Sequence, residues 1–324
     1  MPTIADIEAA ARRLEGRARR TPLLSSPFLD EIAGRRVFVK AESLQHTGSF
    51  KFRGAWSAVS ALDKDIRRKG VIAFSSGNHA QGVALAAKLH DIPAVIIMPN
   101  DAPQMKIRNT RALGGEVVLY DRAIEDRDAI GAQLAKARSL SLIKPFDDIR
   151  VIAGQGTTGL EIAEQAAEQG IARADVLVCC GGGGLTSGIA LALESRATGL
   201  RARPAEPAGF DDVTRSLASG TRQHNTRLSG SICDAIVTPT PGELTLPVMS
   251  RLCGPGLVVT DDEALHAVAL AWSRLKIVLE PGGAVALAAA LFRKDQIETP
   301  DVICVATGGN IDPDVFVRAL TYLG

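Results

Sequence analysis

Short runs of consecutive apolar residues, each followed by a polar turn and then by apolar positions at helical spacing, recur along the chain. The pattern is clear in "VIAFSSGNHAQGVALAAKLH", "AVIIMPNDAPQMKIRNTRALGG" and "GEVVLYDRAIEDRDAIGAQLAKA", and again in "DVLVCCGGGGLTSGIALALES" and "DVICVATGGNIDPDVFVRAL". The strand-like runs are continuously apolar and do not alternate, as expected of strands buried on both faces. Strands of that kind alternating with amphipathic helices predict βαβ units, hence an α/β fold with parallel-rich sheets flanked by helices. The spacing between units varies, so a solenoid repeat is not predicted.

Length and composition narrow the class. With 324 residues the chain can bury a large core and has room for about two domains. The net charge of +1 offers nothing to nucleic acid or to an anionic membrane surface. The arginines between Arg12 and Arg20 read as a solvated helix face and its exit. Five cysteines, without any CxxC spacing, are expected as reduced, buried thiols of a cytoplasmic protein. The N-terminal "MPTIADIEAAARRLEG" lacks the pattern of a signal peptide, and the longest apolar run, "AVALAAALF", is too short to span a bilayer.

Candidate chemistry gathers at turns that follow strands. Gly181, Gly182, Gly183 and Gly184 leave one apolar run and open a helix, so their N–H groups could converge on an anion, assisted by the helix dipole. There is no GK dipeptide for a Walker loop, nor a GxGxxG spacing, so a compact phosphate monoester suits the cup better than a dinucleotide. The alternative is a glycine turn that only lets helix pack on strand. In "TGSFKFRGA", Lys51 stands between Phe50 and Phe52, with Ser49 expected to cap the helix that begins there. An amine that forms a Schiff base benefits from such partial desolvation. A phosphate cup together with a Schiff-base lysine points to pyridoxal 5′-phosphate.

Four segments, "TGSFKFRGA", "SSGNHAQGVA", "CCGGGGLTSGIA" and "ATGGN", resemble in order the motifs of the fold-type II pyridoxal-phosphate enzymes. The branch they are most similar to holds the serine/threonine dehydratases, serine racemase and 3-hydroxyaspartate dehydratases. The resemblance implies two open twisted parallel-rich sheets with the cofactor in the cleft between a large and a small domain. The large domain would comprise residues 1–64 and 145–324, and the small one residues 65–144 with the "SSGNH" loop. It implies that Lys51 holds the cofactor and acts as base on the substrate, with Phe50 beside the ring and Asn78 on its 3′-oxygen. Gly181 to Gly184 with Leu185 would hold the phosphate, and Thr307 would face the pyridine nitrogen. A hydroxyl there can donate a hydrogen bond without protonating the ring, which suits β-elimination better than transamination. A helix cap is the alternative for Thr307. Ser75, Ser76, Gly77, Asn78 and His79 would meet the substrate carboxylate, Ser76 doubling as second acid/base in a racemase. Arg127 corresponds by spacing to an arginine near the substrate pocket, although an exposed arginine paired with Glu125 or Asp128 is equally compatible.

In "AEPAGFDD", Glu206, the Phe210 carbonyl and Asp212 could offer three oxygens to Mg²⁺, Mn²⁺ or Ca²⁺, as in the metal loop of serine racemase. An acidic surface turn is the alternative. His46 and His90 show no metal spacing. The implied reaction is elimination of water from L-threonine, L-serine or 3-hydroxyaspartate, giving a 2-oxo acid and ammonia; serine or aspartate racemisation is the alternative. The resemblance also implies a homodimer. A chain ending at Gly324 would lack the regulatory module of biosynthetic threonine dehydratases, which points to catabolism. A phosphate- or nucleotide-binding protein without catalysis is the rival from another class, and a nicotinamide dehydrogenase is disfavoured by the missing GxGxxG.

Overall fold

The computed structural model describes residues 1–102, 104–121 and 123–323. Among the described residues ten strands form two sheets. The larger is built from β1 (Leu23–Ser25), β2 (Arg36–Ala41), β7 (Ala174–Cys179), β8 (Leu200–Pro207), β9 (Leu257–Val259) and β10 (Asp301–Ala306), in the order β1-β2-β10-β7-β8-β9. All its pairings are parallel except β1 with β2. The smaller holds β3 (Val71–Phe74), β4 (Ala94–Pro99), β5 (Glu116–Tyr120) and β6 (Ser141–Leu142), in the order β5-β4-β3-β6, all parallel.

The inner strands β3, β4, β7 and β10 are covered on both faces, which is why they read as nearly continuous apolar runs. In β7 and β10, Leu177, Cys179, Val302 and Cys304 turn to one face, onto the helices Asp261–Leu270 and Pro281–Phe292. Val176, Val178, Ile303 and Val305 turn to the other, onto the helices Ile149–Glu168 and Gly184–Arg196. The "AVALAAALF" run belongs to Pro281–Phe292, a helix buried all round because it lies under the sheet. Among the described residues no helix is long and apolar enough to cross a membrane. All five cysteines are free and buried.

The helix Lys51–Ser60 joins the two layers. Phe52, Ala55, Trp56 and Val59 enter the core of the small sheet, while the other side of the helix meets Ile149–Glu168. The approach is close: a Cβ on Gly154 would lie 2.6 Å from Ser57 Cβ and 2.8 Å from Gly54 Cα, so the crossing requires glycine there. Behind the same helix lies a buried charged cluster. Arg53 donates to both Glu42 oxygens at 2.8 Å and to Glu161 at 2.7 and 2.9 Å, and Lys40 donates to Glu161 at 2.5 Å and to the Thr21 carbonyl at 2.8 Å. Two cations face two carboxylates, so no charge is left uncompensated.

The candidate active site

The turns after β3, β7 and β10 and the start of Lys51–Ser60 meet at the carboxyl ends of the strands, the usual ligand position in open parallel sheets. Phe50 and Lys51, residues 75–79, residues 181–185 and Thr307 line one cavity of about 270 Å³, a compact small-molecule site.

Lys51 is held by the backbone before it. Ser49 pairs with Gly308, the Phe50 N–H donates to the Thr307 carbonyl at 3.1 Å, and the Gly309 N–H donates to the Gly48 carbonyl at 2.9 Å. The helix is capped by Phe50, without a side-chain bond, so Ser49 is not the cap that its residue type suggested. Its backbone is spent on the bridge to Gly308, and its hydroxyl is buried without a partner. Lys51 Nζ donates to the Pro145 carbonyl at 3.1 Å and lies 5.1 Å from the centre of the Phe50 ring. Burial lowers its pKa to about 8, against an opposing attraction from Glu280. Phe52, the other aromatic neighbour, is core and stacks edge-on against His46.

The glycine loop has a left-handed turn at Gly183, φ 88°, which caps Gly184–Arg196. Only glycine takes that conformation at little cost. The Gly182 carbonyl accepts from the Thr245 hydroxyl at 2.6 Å and from the Gly242 N–H at 3.1 Å. A Cβ on Gly184 would sit 3.0 Å from the Phe146 carbonyl. The loop is thus walled from behind and open toward the cavity. Thr186 and Thr238, both on the cavity, have buried hydroxyls that find no oxygen or nitrogen partner. An anion seated in the loop would accept from them.

Across the cavity, the Gly77 N–H donates to Ser75 Oγ at 3.1 Å, and Ser75 and Ser76 line the wall half-buried. Asn78 opens the helix Asn78–Leu89; its amide donates to Glu280 at 2.6 Å and accepts from Asn310 at 2.7 Å. Burial pushes the Glu280 carboxyl up to about 7 despite that bond from Asn78. His79 is buried, bonded at 2.9 Å to the Ile143 carbonyl, and burial beside the Lys51 charge lowers its pKa to about 3. It is a neutral donor at any working pH. Thr307 follows β10 directly, with its hydroxyl beside the Cys179 thiol, which burial raises to about 11. The next helix is capped by Asp312, so the capping alternative for Thr307 fails.

Arg127 is the predicted substrate contact that does not join the cavity wall. It is exposed, 3.2 Å from Asp128, with its guanidinium over the Phe74 ring at 5.4 Å. Glu206, Phe210 and Asp212 also lie off the wall, at the end of β8. Glu206 accepts from the N–H groups of Val213 and Thr214 at 2.9 and 2.6 Å, and burial raises its pKa to about 8. Asp212 accepts from Asn225 at 2.6 Å, is raised to about 6 by burial, and keeps one buried oxygen unpartnered. Among the described residues no three His, Cys, Asp or Glu side chains gather as a metal site.

Sequence reasoning missed Glu280, Lys106 and Phe146. Each arrives on the cavity from a segment with no motif, although Asn310 was visible as the last residue of "ATGGN".

Residues 14–308 match the model of the pyridoxal-phosphate dependent enzymes. The chain belongs to that family. It is 42% identical over 315 residues to the L-threo-3-hydroxyaspartate ammonia-lyase of a Pseudomonas species, covering 97% of each. It is 38% identical over 314 residues to the serine racemase of Dictyostelium discoideum, covering 96% of this chain and 95% of that one. The solved serine racemase of maize superimposes with a TM-score of 0.91 at 35% identity, covering 99% of this chain and 97% of the other. The enzyme is therefore a fold-type II pyridoxal-phosphate protein, and its cavity fits that cofactor: an amine of lowered pKa shares the wall with a glycine cup and two hydroxyls that lack an oxygen or nitrogen partner.

Proposed function

We propose that the enzyme eliminates water from a β-hydroxy-α-amino acid, yielding a 2-oxo acid and ammonia. The observation that carries the reading is Lys51, an amine of pKa about 8 on the wall of the cavity that the glycine cup also lines. The relatives' names, hydroxyaspartate and threonine ammonia-lyase, support the same reaction.

Bound pyridoxal phosphate supplies the electron sink that makes the substrate Cα–H acidic. The chain supplies the rest. Gly181 to Gly184 and Leu185, with the Thr186 and Thr238 hydroxyls, would hold the phosphate, Thr307 would donate to the ring nitrogen, and Asn78 would reach the ring oxygen. The hydrogen bond from Asn78 to Glu280 and the one it accepts from Asn310 keep its amide aimed. Lys51 would anchor the cofactor aldehyde and, as a free amine, would accept the Cα proton. The turn from Ser75 to Asn78 would bind the α-carboxylate and orient that proton toward Lys51. Loss of the β-hydroxyl as water leaves an unsaturated amine, which tautomerises to an imine and takes up water to give the 2-oxo acid and ammonia.

The test is a 2-oxo-acid assay of the cofactor-loaded enzyme on the stereoisomers of serine, threonine and 3-hydroxyaspartate. Turnover of at least one supports the reading, and release from none of them sinks it. Serine racemisation is the second reading, favoured by Ser76 on the cavity wall; chiral analysis of residual serine decides it.

Glu206, the Phe210 carbonyl and Asp212 are proposed as the site of a Mg²⁺, Mn²⁺ or Ca²⁺ ion. The unpartnered Asp212 oxygen and two buried carboxylates of raised pKa fit a hard cation. A homodimer is proposed on the exposed apolar groups Phe28, Trp272 and Val317, which lie on adjoining elements, Arg274 resting on Phe28 and Trp272 on Phe316. The buried free thiols suit a cytoplasmic location.

A further inference from the structure

The proposed reaction leaves open which β-hydroxy amino acid the cavity selects. Serine and 3-hydroxyaspartate differ by a carboxylate on Cβ, so selection between them needs a cation aimed at that position. Among the described residues lining the cavity the ordinary cations are Lys51 and Lys106. His79 is neutral, because burial holds its pKa near 3. Lys51 is committed to the cofactor aldehyde and the Cα proton. Arg127 lies outside the wall, held by Asp128 and Phe74.

Lys106 stands in the helix Gln104–Ala112, which follows β4 of the small sheet. Its side chain is only 17% exposed, yet among the described residues its ammonium makes just one hydrogen bond, a long contact of 3.4 Å to Asp234, which is 68% exposed. Asp234 belongs to the short turn Asp234–Ile236 on the opposite rim, also part of the cavity wall. A cation largely withdrawn from water and held by a loose, solvated partner is poised to exchange that partner. A second carboxylate inside the cavity could approach Lys106 at normal ion-pair distance, while Asp234 returns to water at little cost.

We propose that Lys106 reads a distal carboxylate of the substrate and so turns the enzyme toward 3-hydroxyaspartate, with Asp234 holding the ammonium until that carboxylate arrives. The proposal rests on the lyase reading above, and it deepens that reading by naming the determinant of substrate class. Asp234 acts as a competitor of the substrate. Its loss should therefore help the dicarboxylate, which a mere latch between the two rims would not allow.

The experiment compares the holoenzyme with Lys106→Gln, Lys106→Arg and Asp234→Asn on L-threo-3-hydroxyaspartate and L-serine, with calorimetric binding of succinate as an unreactive dicarboxylate probe. Lys106→Gln should lower the ratio of kcat/KM for hydroxyaspartate over serine by roughly 10- to 100-fold, mainly through KM, and weaken succinate by a similar factor. Lys106→Arg should restore part of the ratio. Asp234→Asn should lower the KM for hydroxyaspartate and tighten succinate. An unchanged ratio in Lys106→Gln overturns the proposal, as does a loss in Asp234→Asn that falls equally on both substrates. If the wild type releases 2-oxo acid from neither of these substrates nor from any stereoisomer of threonine, serine or 3-hydroxyaspartate, the lyase reading fails by itself. The succinate affinities of the variants then still decide whether Lys106 binds a carboxylate.

Discussion

Lys51 shows how a single side chain acquires its chemistry. An ordinary lysine amine is half neutral only near 10.5, whereas burial brings this one to about 8. Because the pKa is depressed, the reactive neutral form is the minority below pH 8 and the majority above it. Capture of pyridoxal phosphate by the cofactor-free enzyme should therefore accelerate with pH up to about 8 and level off beyond, followed by the growth of visible absorbance. A rise that continued to pH 10 would show an unperturbed amine. Lys51→Ala should lose both that absorbance and nearly all activity; full turnover by this variant would remove Lys51 from the mechanism. Lys51 was readable as unusual from its place in "SFKFRGA", between two aromatics. Of those neighbours Phe50, which the resemblance sets beside the ring, faces the cavity, while Phe52 enters the core of the small sheet, a place that no motif marked. Residues two apart in a helix point about 200° apart, so the two rings diverge, and only packing decides what each of them meets.

At the scale of the element, the loop between β7 and Gly184–Arg196 is a strand-to-helix turn with the left-handed Gly183 at its tip. Gly183→Ala would force an L side chain into that region beside Thr245 Oγ1, which an added Cβ would approach to 3.0 Å. Its cofactor dissociation constant is expected to rise by at least about tenfold, ~1.4 kcal/mol, by equilibrium dialysis. Wild-type affinity in this variant would mean the loop does not hold the phosphate. The turn at the end of β8 carries a different expectation. Millimolar Mg²⁺, Mn²⁺ or Ca²⁺ should raise the melting temperature, chelation should reverse the rise, and Asp212→Asn should abolish it, since ion binding to the folded state alone stabilises by mass action. An acidic turn without an ion site would give no shift in any of these.

For the whole molecule, the buried cluster of Lys40, Glu42, Arg53 and Glu161 ties β2, the segment after it, the Lys51 helix and Ile149–Glu168 to one another. Glu42→Gln would leave two cations facing one carboxylate in the interior. It should lower the unfolding free energy by about 3 kcal/mol in urea denaturation. A loss within ~0.5 kcal/mol would mean that water or Thr21 compensates the charge. None of these four residues drew notice in the sequence, where a lysine in "VFVKAES" and an arginine in "SFKFRGA" look like ordinary polar positions. Charge burial is a property of what surrounds a residue, and their partners lie up to 121 residues away.

What the sequence determined by itself was local. Unbroken apolar runs marked β3, β4, β5, β7 and β10, and the turns after β3, β7 and β10 showed their glycines and polar side chains in the order in which the family uses them. Strand identity and turn conformation follow from short-range sterics and from burial on two faces, which leave their trace in neighbouring residues. What only the tertiary structure decided was convergence. The order β1-β2-β10-β7-β8-β9 brings Thr307 beside Lys51 from the far end of the chain, through the bridge between Ser49 and Gly308. The same packing placed Glu280 behind Asn78, brought Lys106 to the cavity and left Arg127 outside it. Those contacts join chain-distant residues whose own neighbours carry no pattern, so they arise only when the two sheets close over the Lys51 helix.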